Sequence, residues 1–411
     1  MQDYQVKIDR LKLVNYKKFT DSTVDFDPSL TVLSGKNGNG KSSVLSGVAL
    51  IISWIIARLR NESGVGLYVP PMDVNNGAIN GCVMGSMFGN EVLIPNKAKS
   101  GLFKEYTFNI APIKEYVTCK RKELAENREA TCLPVFANYG VKRAVLDMPL
   151  RTRRKEYSIF DTYEKCLDGV ANFRGFFTWF RACEDWENQQ TARTGQQVEH
   201  PGLRAFRNAM ESFMPEYRNI HIERHPLGMM LEKNGKPLNA EQLSDGEKIY
   251  LALIGDLSHR LSLANPVGDP LLGKGIVLID EIDLHLHPQW QSEITTALTG
   301  TFPNIQFIIS THSPHVINSV PTTSLRLIDG DGNITTAPYG YGMPSEIILG
   351  DIMCLSNDVP KRIVTIIEEF NDALRDNMPQ EAQARLMALQ EAVPGHPELP
   401  RMRKRVERML K

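Results

Sequence analysis

The chain has 411 residues, 42% hydrophobic and 23% charged, with a formal net charge of −1. That length allows two or three compact units, or one nucleotide-binding domain enlarged by insertions, and the composition is ordinary for a globular protein with a full core. The near-zero charge argues against a globally basic nucleic-acid coat while leaving room for a local patch. Cys82, Cys119, Cys132, Cys166, Cys183 and Cys354 are scattered without a C-x-x-C pair, which points to reduced thiols in a cytosolic protein rather than a disulfide or zinc framework. The opening Met1-Gln2-Asp3-Tyr4 lacks the blocks of a signal peptide. The longest apolar stretch, Val44 to Ala57, is broken by Ser46, Gly47 and Ser53 and falls short of the roughly 20 residues a bilayer span needs. A cytoplasmic location without membrane contact is expected.

From Val6 to Val14 apolar and polar residues alternate, and Val24 and Phe26 continue the pattern, so the chain enters through strands. Leu13 to Phe19 carries aromatic and basic side chains that suit either the neighbourhood of an adenine ring or an ordinary hairpin corner. A β-prone run, Leu30-Thr31-Val32-Leu33, leads into Gly35-Lys36-Asn37-Gly38-Asn39-Gly40-Lys41-Ser42, followed by Ser43 and a stretch to Arg60 with Val44, Leu45, Val48, Ile51, Ile52, Ile55 and Leu59 at helical intervals. The loop satisfies G-x-x-x-x-G-K-[ST] without a mismatch, and the order strand, loop, helix is the context the motif requires. Its glycines let several N–H groups converge on one phosphate chain. Lys41 is then expected to reach the β- and γ-phosphates and Ser42 to ligate Mg²⁺.

Residues 61–112 predict a β-containing arm, with Tyr106 to Ile110 as a strand, and Lys114 to Arg128 a solvated helix. Leu133 to Gly140 reads as a buried strand leaving through a turn. Lys142, Arg143, Arg151, Arg153, Arg154 and Lys155 form a basic stretch; a solvated face is favoured there over phosphate contact. Phe173, Phe176, Phe177, Trp179, Phe180 and Trp186 crowd a helix, more consistent with core than interface. Asn188 to His200 reads as an exposed loop, Leu203 to Phe213 as a helix, and Ile220-His221-Ile222 with Met229 to Leu238 as a hairpin turning at Asn234-Gly235. There are no sustained heptads, hence no long coiled-coil arm.

Gln242-Leu243-Ser244-Asp245-Gly246-Glu247-Lys248 precedes an apolar helix, with Ser244 as N-cap and Glu247 as its capping-box partner. That helix start is either only a good cap or, with Ser244 and Gly246, a receptor for a γ-phosphate on another subunit. Gly275 to Ile279 is an apolar strand ending in Asp280 and Glu281: Asp280 suits Mg²⁺, and Glu281 suits a general base on the attacking water. Phe307 to His312 is a second buried strand delivering His312, which suits a γ-phosphate sensor. His285 and His287 have H-x-H spacing but lack the further ligands a structural zinc needs, and Ser313 and His315 complete no nucleophile triad.

Taken as an ordered set, the phosphate loop, Leu243 to Glu247, Asp280 to Pro288 and Ser310-Thr311-His312 resemble the ABC-class ATPase heads shared by SMC and RecF-like proteins, over most of residues 1–345. The pattern is most similar to compact prokaryotic ATPases of anti-phage defence, such as those of Septu, retron and PARIS systems. The resemblance implies an α/β fold: an ABC-type P-loop NTPase head with a mixed central sheet, a helical insertion and a C-terminal helical module. Gly35, Asn37, Gly40, Lys41 and Ser42 match Walker A, Ser244 and Gly246 the signature, Asp280 and Glu281 Walker B, Asp283 the dimer-contacting loop and His312 the switch histidine. Asp245 stands where transporters carry glycine, which turns the reading away from a transport motor. The Q-loop glutamine has no clear counterpart; a residue near Asn138 or Tyr139 is the open candidate.

The expected division is 1–170 and 226–345 for the two ATPase lobes, 171–225 for the helical insertion and 346–411 for the module. The module ends in a helix crowded with Arg401, Arg403, Lys404, Arg405 and Arg408, where an acidic partner or nucleic acid is weighed equally against a solvated face. The expected activity is slow, regulatory hydrolysis of ATP with Mg²⁺ by a homodimer or larger assembly whose heads sandwich the nucleotide. It would sense infection and control a separate nuclease of HNH or Toprim type, with DNA or RNA as a further partner; a RecF/SMC-like role in DNA repair is the alternative.

Overall fold

The computed structural model describes residues 4–97, 106–141, 156–352 and 361–409, so the basic stretch from Lys142 to Lys155 lies outside the described residues. The chain divides into two units after Ile348. In chain order the first contains β1 (Ile8–Tyr16), β2 (Phe19–Asp25), β3 (Leu30–Ser34), α1 (Lys41–Arg60), β4 (Cys82–Met87), β5 (Asn90–Pro95), α2 (Ala111–Glu126), β6 (Val135–Tyr139), α3 (Phe173–Thr194) and α4 (Pro201–Phe213). It continues with β7 (Tyr217–Arg224), β8 (Leu227–Lys233), β9 (Lys236–Asn239), α5 (Asp245–Ala264), β10 (Gly275–Ile279), α6 (Pro288–Thr301), β11 (Ile305–Ser310), α7 (Pro314–Asn318), β12 (Leu325–Ile328), β13 (Ile334–Thr336) and the single turn α8 (Ser345–Ile347).

β3, β10 and β11 are buried at every position, as strands covered on both faces must be. They belong to a mixed six-stranded sheet of order β13-β12-β3-β11-β10-β6, in which only β13 runs antiparallel to its neighbour. The registers Ile279 with Ile309 and Tyr139, and Ser310 with Leu33, bring the ends of four parallel strands to one edge. An antiparallel sheet of order β2-β1-β4-β5 stands apart from it. α1 bridges the two: Gly47 meets Leu11, Leu13 and Val83 of that sheet, and Val44, Val48, Ile51 and Ile55 are fully buried. α1 is long and apolar enough for a membrane span, but 67% of the qualifying window is buried within the protein. The Gln306 amide on β11, itself fully buried, pairs with both backbone groups of Ile8 and with Asp27 O, each at 2.9 Å, and so joins the sheets without an orphaned polar group.

The aromatic helix is core. Phe173, Phe176, Phe177 and Phe180 on α3 are buried, and the Phe176 ring lies against α5 so closely that a Cβ at Gly255 would come within 2.7 Å of it. Only Trp186, 39% exposed, departs from that reading among the six.

Three local expectations change. α3 continues through Thr194 and stops at Gly195 with φ 68°, so most of Asn188 to His200 is helix; its polar residues are the solvent face of an amphipathic element. Tyr106 to Ile110 makes only the single bridge of Asn109 with Leu93. The expected strand residues Ile220 to Ile222 do lie in β7 (Tyr217–Arg224) of a three-stranded sheet β7-β8-β9, whose second hairpin turns at Asn234 (φ 52°) and Gly235 (φ 76°). α2 also buries Ile113, Tyr116 and Val117, so it is solvated on one side only.

α5 is tied to the sheet by a buried ion pair. Asp256 Oδ2 accepts from Arg260 Nε at 2.9 Å and from the Tyr139 hydroxyl at 2.8 Å. Arg260 also donates to Thr162 O and Glu164 O, and the Thr162 hydroxyl returns a bond to Arg260 O. Burial raises the Tyr139 hydroxyl well above its ordinary pKa. With that side chain 1% exposed and engaged here, Tyr139 is removed as a nucleotide-contacting candidate.

The second unit contains α9 (Lys361–Arg375), α10 (Pro379–Ala392) and α11 (Leu399–Met409). They close around their own core, including Ile363, Ile366, Phe370, Leu386, Leu389, Met402 and Val406.

Asp256→Ala strands the guanidinium of Arg260, 2% exposed, and should cost about 3–5 kcal/mol. Urea unfolding measures it; a loss under about 1 kcal/mol would mean that the pair does not anchor α5.

Candidate nucleotide site

The phosphate loop is wedged between two other segments. Gly35 adopts φ 153°, and a Cβ there would sit 2.4 Å from Ile328 O at the end of β12; Gly40 adopts φ 101°, and a Cβ would sit 2.6 Å from the Phe19 ring. Glycine is needed at both positions for conformation and for space. Leu13 to Phe19 is the corner of the β1–β2 hairpin, and its buried Phe19 is the wall behind the loop. Asn39 Nδ2 donates to Ile328 O at 2.7 Å and Lys18 Nζ to Gly330 O at 2.9 Å, clamping the loop to the segment after β12.

Lys36, Asn37 and Gly38 form the exposed crest, and Lys41 lies beneath it, 6% exposed, its Nζ donating to Gly35 O at 2.8 Å and Lys36 O at 3.3 Å. Burial lowers the Lys41 pKa, while Asp280, Glu281 and Asp283 work in the opposite direction. α1 starts at Lys41 with no side-chain cap, so its first N–H groups and the positive end of its dipole are offered at the loop.

The adjoining strands supply the acids. Glu281, at φ 47°, donates its N–H to Ser310 Oγ at 2.8 Å, and the same hydroxyl donates to Asp280 Oδ1 at 2.5 Å. One buried serine thus orients one carboxylate and the backbone of the next. Asp283 Oδ1 accepts from Thr311 Oγ1 at 2.6 Å and from the His312 N–H at 3.2 Å. Burial, and then Lys41, lower the pKa of the half-buried His312 imidazole against the pull of Asp283, Glu281 and Asp280. Lys41, Asp280, Glu281, Asp283 and His312 therefore lie within one electrostatic neighbourhood. Its donors fit a magnesium-bound triphosphate: a buried ammonium, open helix N–H groups, the exposed Ser42 hydroxyl and hard carboxylate oxygen.

Ser244 and Gly246 lie at the start of α5. Glu247 N donates to Ser244 Oγ and Ser244 N to Glu247 Oε2, a complete capping box. Among the described residues, Ser244 has no hydrogen bond to the loop at 35–42; its helix instead packs on the segment after Glu281, where a Cβ on Gly246 would meet His285 O at 2.7 Å. The His287 imidazole caps α6 and Ser313 caps α7, structural roles for two residues with candidate chemistry in the sequence. Gln291 ties these segments, donating to Asp283 O and Leu286 O and accepting from the Ser313 hydroxyl.

Ser310, Gln291 and the distant partners of Glu247, Lys233 and Tyr217, escaped the sequence reading. Ser310 immediately precedes Thr311-His312 and could have been found as the last residue of its strand. Lys233 and Tyr217, which both bond Glu247 Oε1, carry no local signal. Burial pushes the Glu247 carboxyl up, but Lys233, Tyr217 and Ser244 outweigh it and hold it down to about 2. A depressed carboxyl stabilises the fold above its ordinary value near 4.5 and loses that contribution as pH falls toward 2. Glu247→Gln should flatten acid unfolding over that window, read as stability against pH; an unchanged profile would contradict the coupling.

Two substitutions at 310 test the serine. Ser310→Ala should lower kcat by about 10-fold with a smaller effect on KM, the size of a lost hydrogen bond to a charged group, and Ser310→Thr should restore most of it. Equal kcat in wild type and alanine variant would remove Ser310 from positioning the acids.

The chain is similar to several known proteins and family models. A family described as "AAA domain" matches residues 10–164, and one described as "AAA domain, putative AbiEii toxin, Type IV TA system" matches residues 179–318. "Retron Ec83 probable ATPase" of Escherichia coli is 30% identical over 90% of this chain and 80% of its own. "Septu protein PtuA" of Bacillus thuringiensis is 35% identical over 33% of this chain and 37% of its own. An SMC head domain from Thermotoga maritima superimposes with a TM-score of 0.42 at 17% identity, covering 81% of this chain and 100% of that one.

Proposed function

Since the chain belongs to the family of the retron ATPases, we propose that it is the ATP-binding and ATP-hydrolysing subunit of a prokaryotic anti-phage defence system, acting in the cytoplasm and restraining or licensing a separate nuclease. The observation that supports this most directly is the gathering of Lys41, Asp280, Glu281 and His312 at one sheet edge around an open helix N-terminus.

In this reading backbone N–H groups within Gly35 to Ser43 and the Lys41 ammonium bind the triphosphate, and Ser42 and Asp280 would hold Mg²⁺, which would supply neutralisation of phosphate charge. Glu281 accepts a proton from the attacking water, and its fixed backbone on Ser310 sets the direction from which it does so. His312 donates a hydrogen bond toward the γ-phosphate, which an imidazole can do neutral or charged. Ser244 and Gly246 of a second copy close over the nucleotide, making ATP part of a homodimer interface. Because Gly246 rests on His285 and Gln291 links that segment to Ser313, movement of the signature helix would be felt beside His312. Nucleotide binding and slow turnover then bias assembly, and assembly in turn controls a nuclease partner of HNH or Toprim type.

Lys41→Ala should abolish ATP binding by titration. Glu281→Gln should still bind ATP, lower turnover by about 100-fold or more, and accumulate a dimer by mass measurement; normal turnover or a monomer with bound ATP would overturn the scheme. Co-purification with the product of the adjacent open reading frame, with and without ATP, tests the effector. Failure to recover a nuclease in either state would remove that part.

A further inference from the structure

α11 buries Leu399, Met402 and Val406 in the core of the second unit and exposes Arg401, Arg403, Lys404, Arg405 and Arg408. At about 100° per residue, positions 401, 404, 405 and 408 fall in one stripe roughly 100° wide, on the side away from the core and about 10 Å long. Glu407 borders this stripe, between Lys404 and Arg403, and Arg403 turns to Gln390 at 2.9 Å. The neutralising partners are few. Arg401 is 3.4 Å from Glu398 with its side chain 80% exposed, Arg405 reaches the amide oxygen of Asn371 at 3.5 Å, and among the described residues no ion pair is seen for Lys404 or Arg408.

Stability does not explain the arrangement. The pairs 401/404, 401/405, 404/408 and 405/408 are like charges at helical neighbour spacing and repel one another. Arg401 also sits in the first turn, where the helix dipole disfavours a cation. The exposed acids Glu368, Asp372 and Asp376 lie on or just after α9, the helix whose Asn371 accepts from Arg405, and Asp372 is engaged by Arg375 at 3.1 Å.

We propose that this stripe docks on the phosphate backbone of duplex DNA without reading its sequence. B-DNA presents one charge per about 1.7 Å of axis over its two strands, so a stripe about 10 Å long spans some six phosphates, about three on each strand. α11 contains no aromatic residue, so it offers no platform for stacking the bases of a single strand. A major groove about 12 Å wide admits a helix face, whereas the deep, narrow groove of A-form RNA does not. The surface lies wholly within the second unit and does not rest on the nucleotide reading.

The test is anisotropy titration of the full chain with a labelled DNA duplex of about 20 base pairs between about 50 and 200 mM salt. The variant combines Arg401→Gln, Lys404→Gln, Arg405→Gln and Arg408→Gln, all at exposed positions, and its thermal melt should match wild type. Wild type should bind unrelated duplexes equally. The variant should lose at least 10-fold in affinity at the low-salt end and about 3–4 units of the slope of log K on log salt, at about 0.9 per phosphate contact, with ATP turnover unchanged. Lys41→Ala should bind DNA as wild type does, which separates this surface from the nucleotide site. The proposal is overturned if wild type does not bind at low salt, if the variant keeps affinity and slope, or if duplex RNA, single-stranded DNA or polyglutamate binds better. Loss of concentration-dependent self-association in the variant, with DNA affinity intact, would instead assign the stripe to a second copy.

Discussion

The parallel pairing of β11 between β3 and β10 is the constraint on which the site depends. In a parallel sheet the polar groups that leave the strand ends all emerge at one edge. Here that edge receives the phosphate loop from β3, the acids from β10 and the Thr311-His312 step from β11. Because β11 is the middle strand, its last residue can touch the two acids that leave the end of β10. The Ser310 hydroxyl does so twice, on Asp280 and on the N–H of Glu281. A weaker pairing at this point would leave the same residues present and the geometry between acid and lysine undefined.

Around that edge the remaining elements act as supports. The hairpin corner at Phe19 and the carbonyl of Ile328 hold the loop from two sides, which is why Gly35 and Gly40 have no room for a side chain. The Asp256–Arg260 pair fixes the far half of α5 to β6 and to the turn at Thr162, while Glu247 fixes its beginning to β7 and β8. The helix carrying Ser244 is therefore anchored at both ends to different sheets. A rigid body of that kind can transmit displacement rather than absorb it.

Much of the site was legible because its parts are local. A loop whose own backbone binds phosphate must carry its glycines and lysine at fixed spacing, and a capped helix must announce itself within four residues, as Ser244 and Glu247 do. The misreadings have equally local causes. Asn188 to Thr194 is polar because it faces solvent as helix, and Tyr106 to Ile110 has strand composition but finds a partner only at Asn109. Residues joined across large separations had no signal at all: Tyr139 and Asp256 are 117 positions apart, and Thr162 and Arg260 are 98.

By itself the sequence determined the strand–loop–helix at 30–60, the capped helix at 244, the two apolar strands leading to Asp280-Glu281 and to His312, and the charge of the last helix. These arise from periodicity, capping and backbone freedom, which act over a few residues. The tertiary structure alone decided that β11 inserts between β3 and β10 although it comes after both in the chain, that Ser310 thereby governs the acids, and that α11 turns its apolar side inward and its cations out. Strand order and facing depend on which surfaces bury one another across the whole chain, a sum over distant contacts that no short window of residues contains.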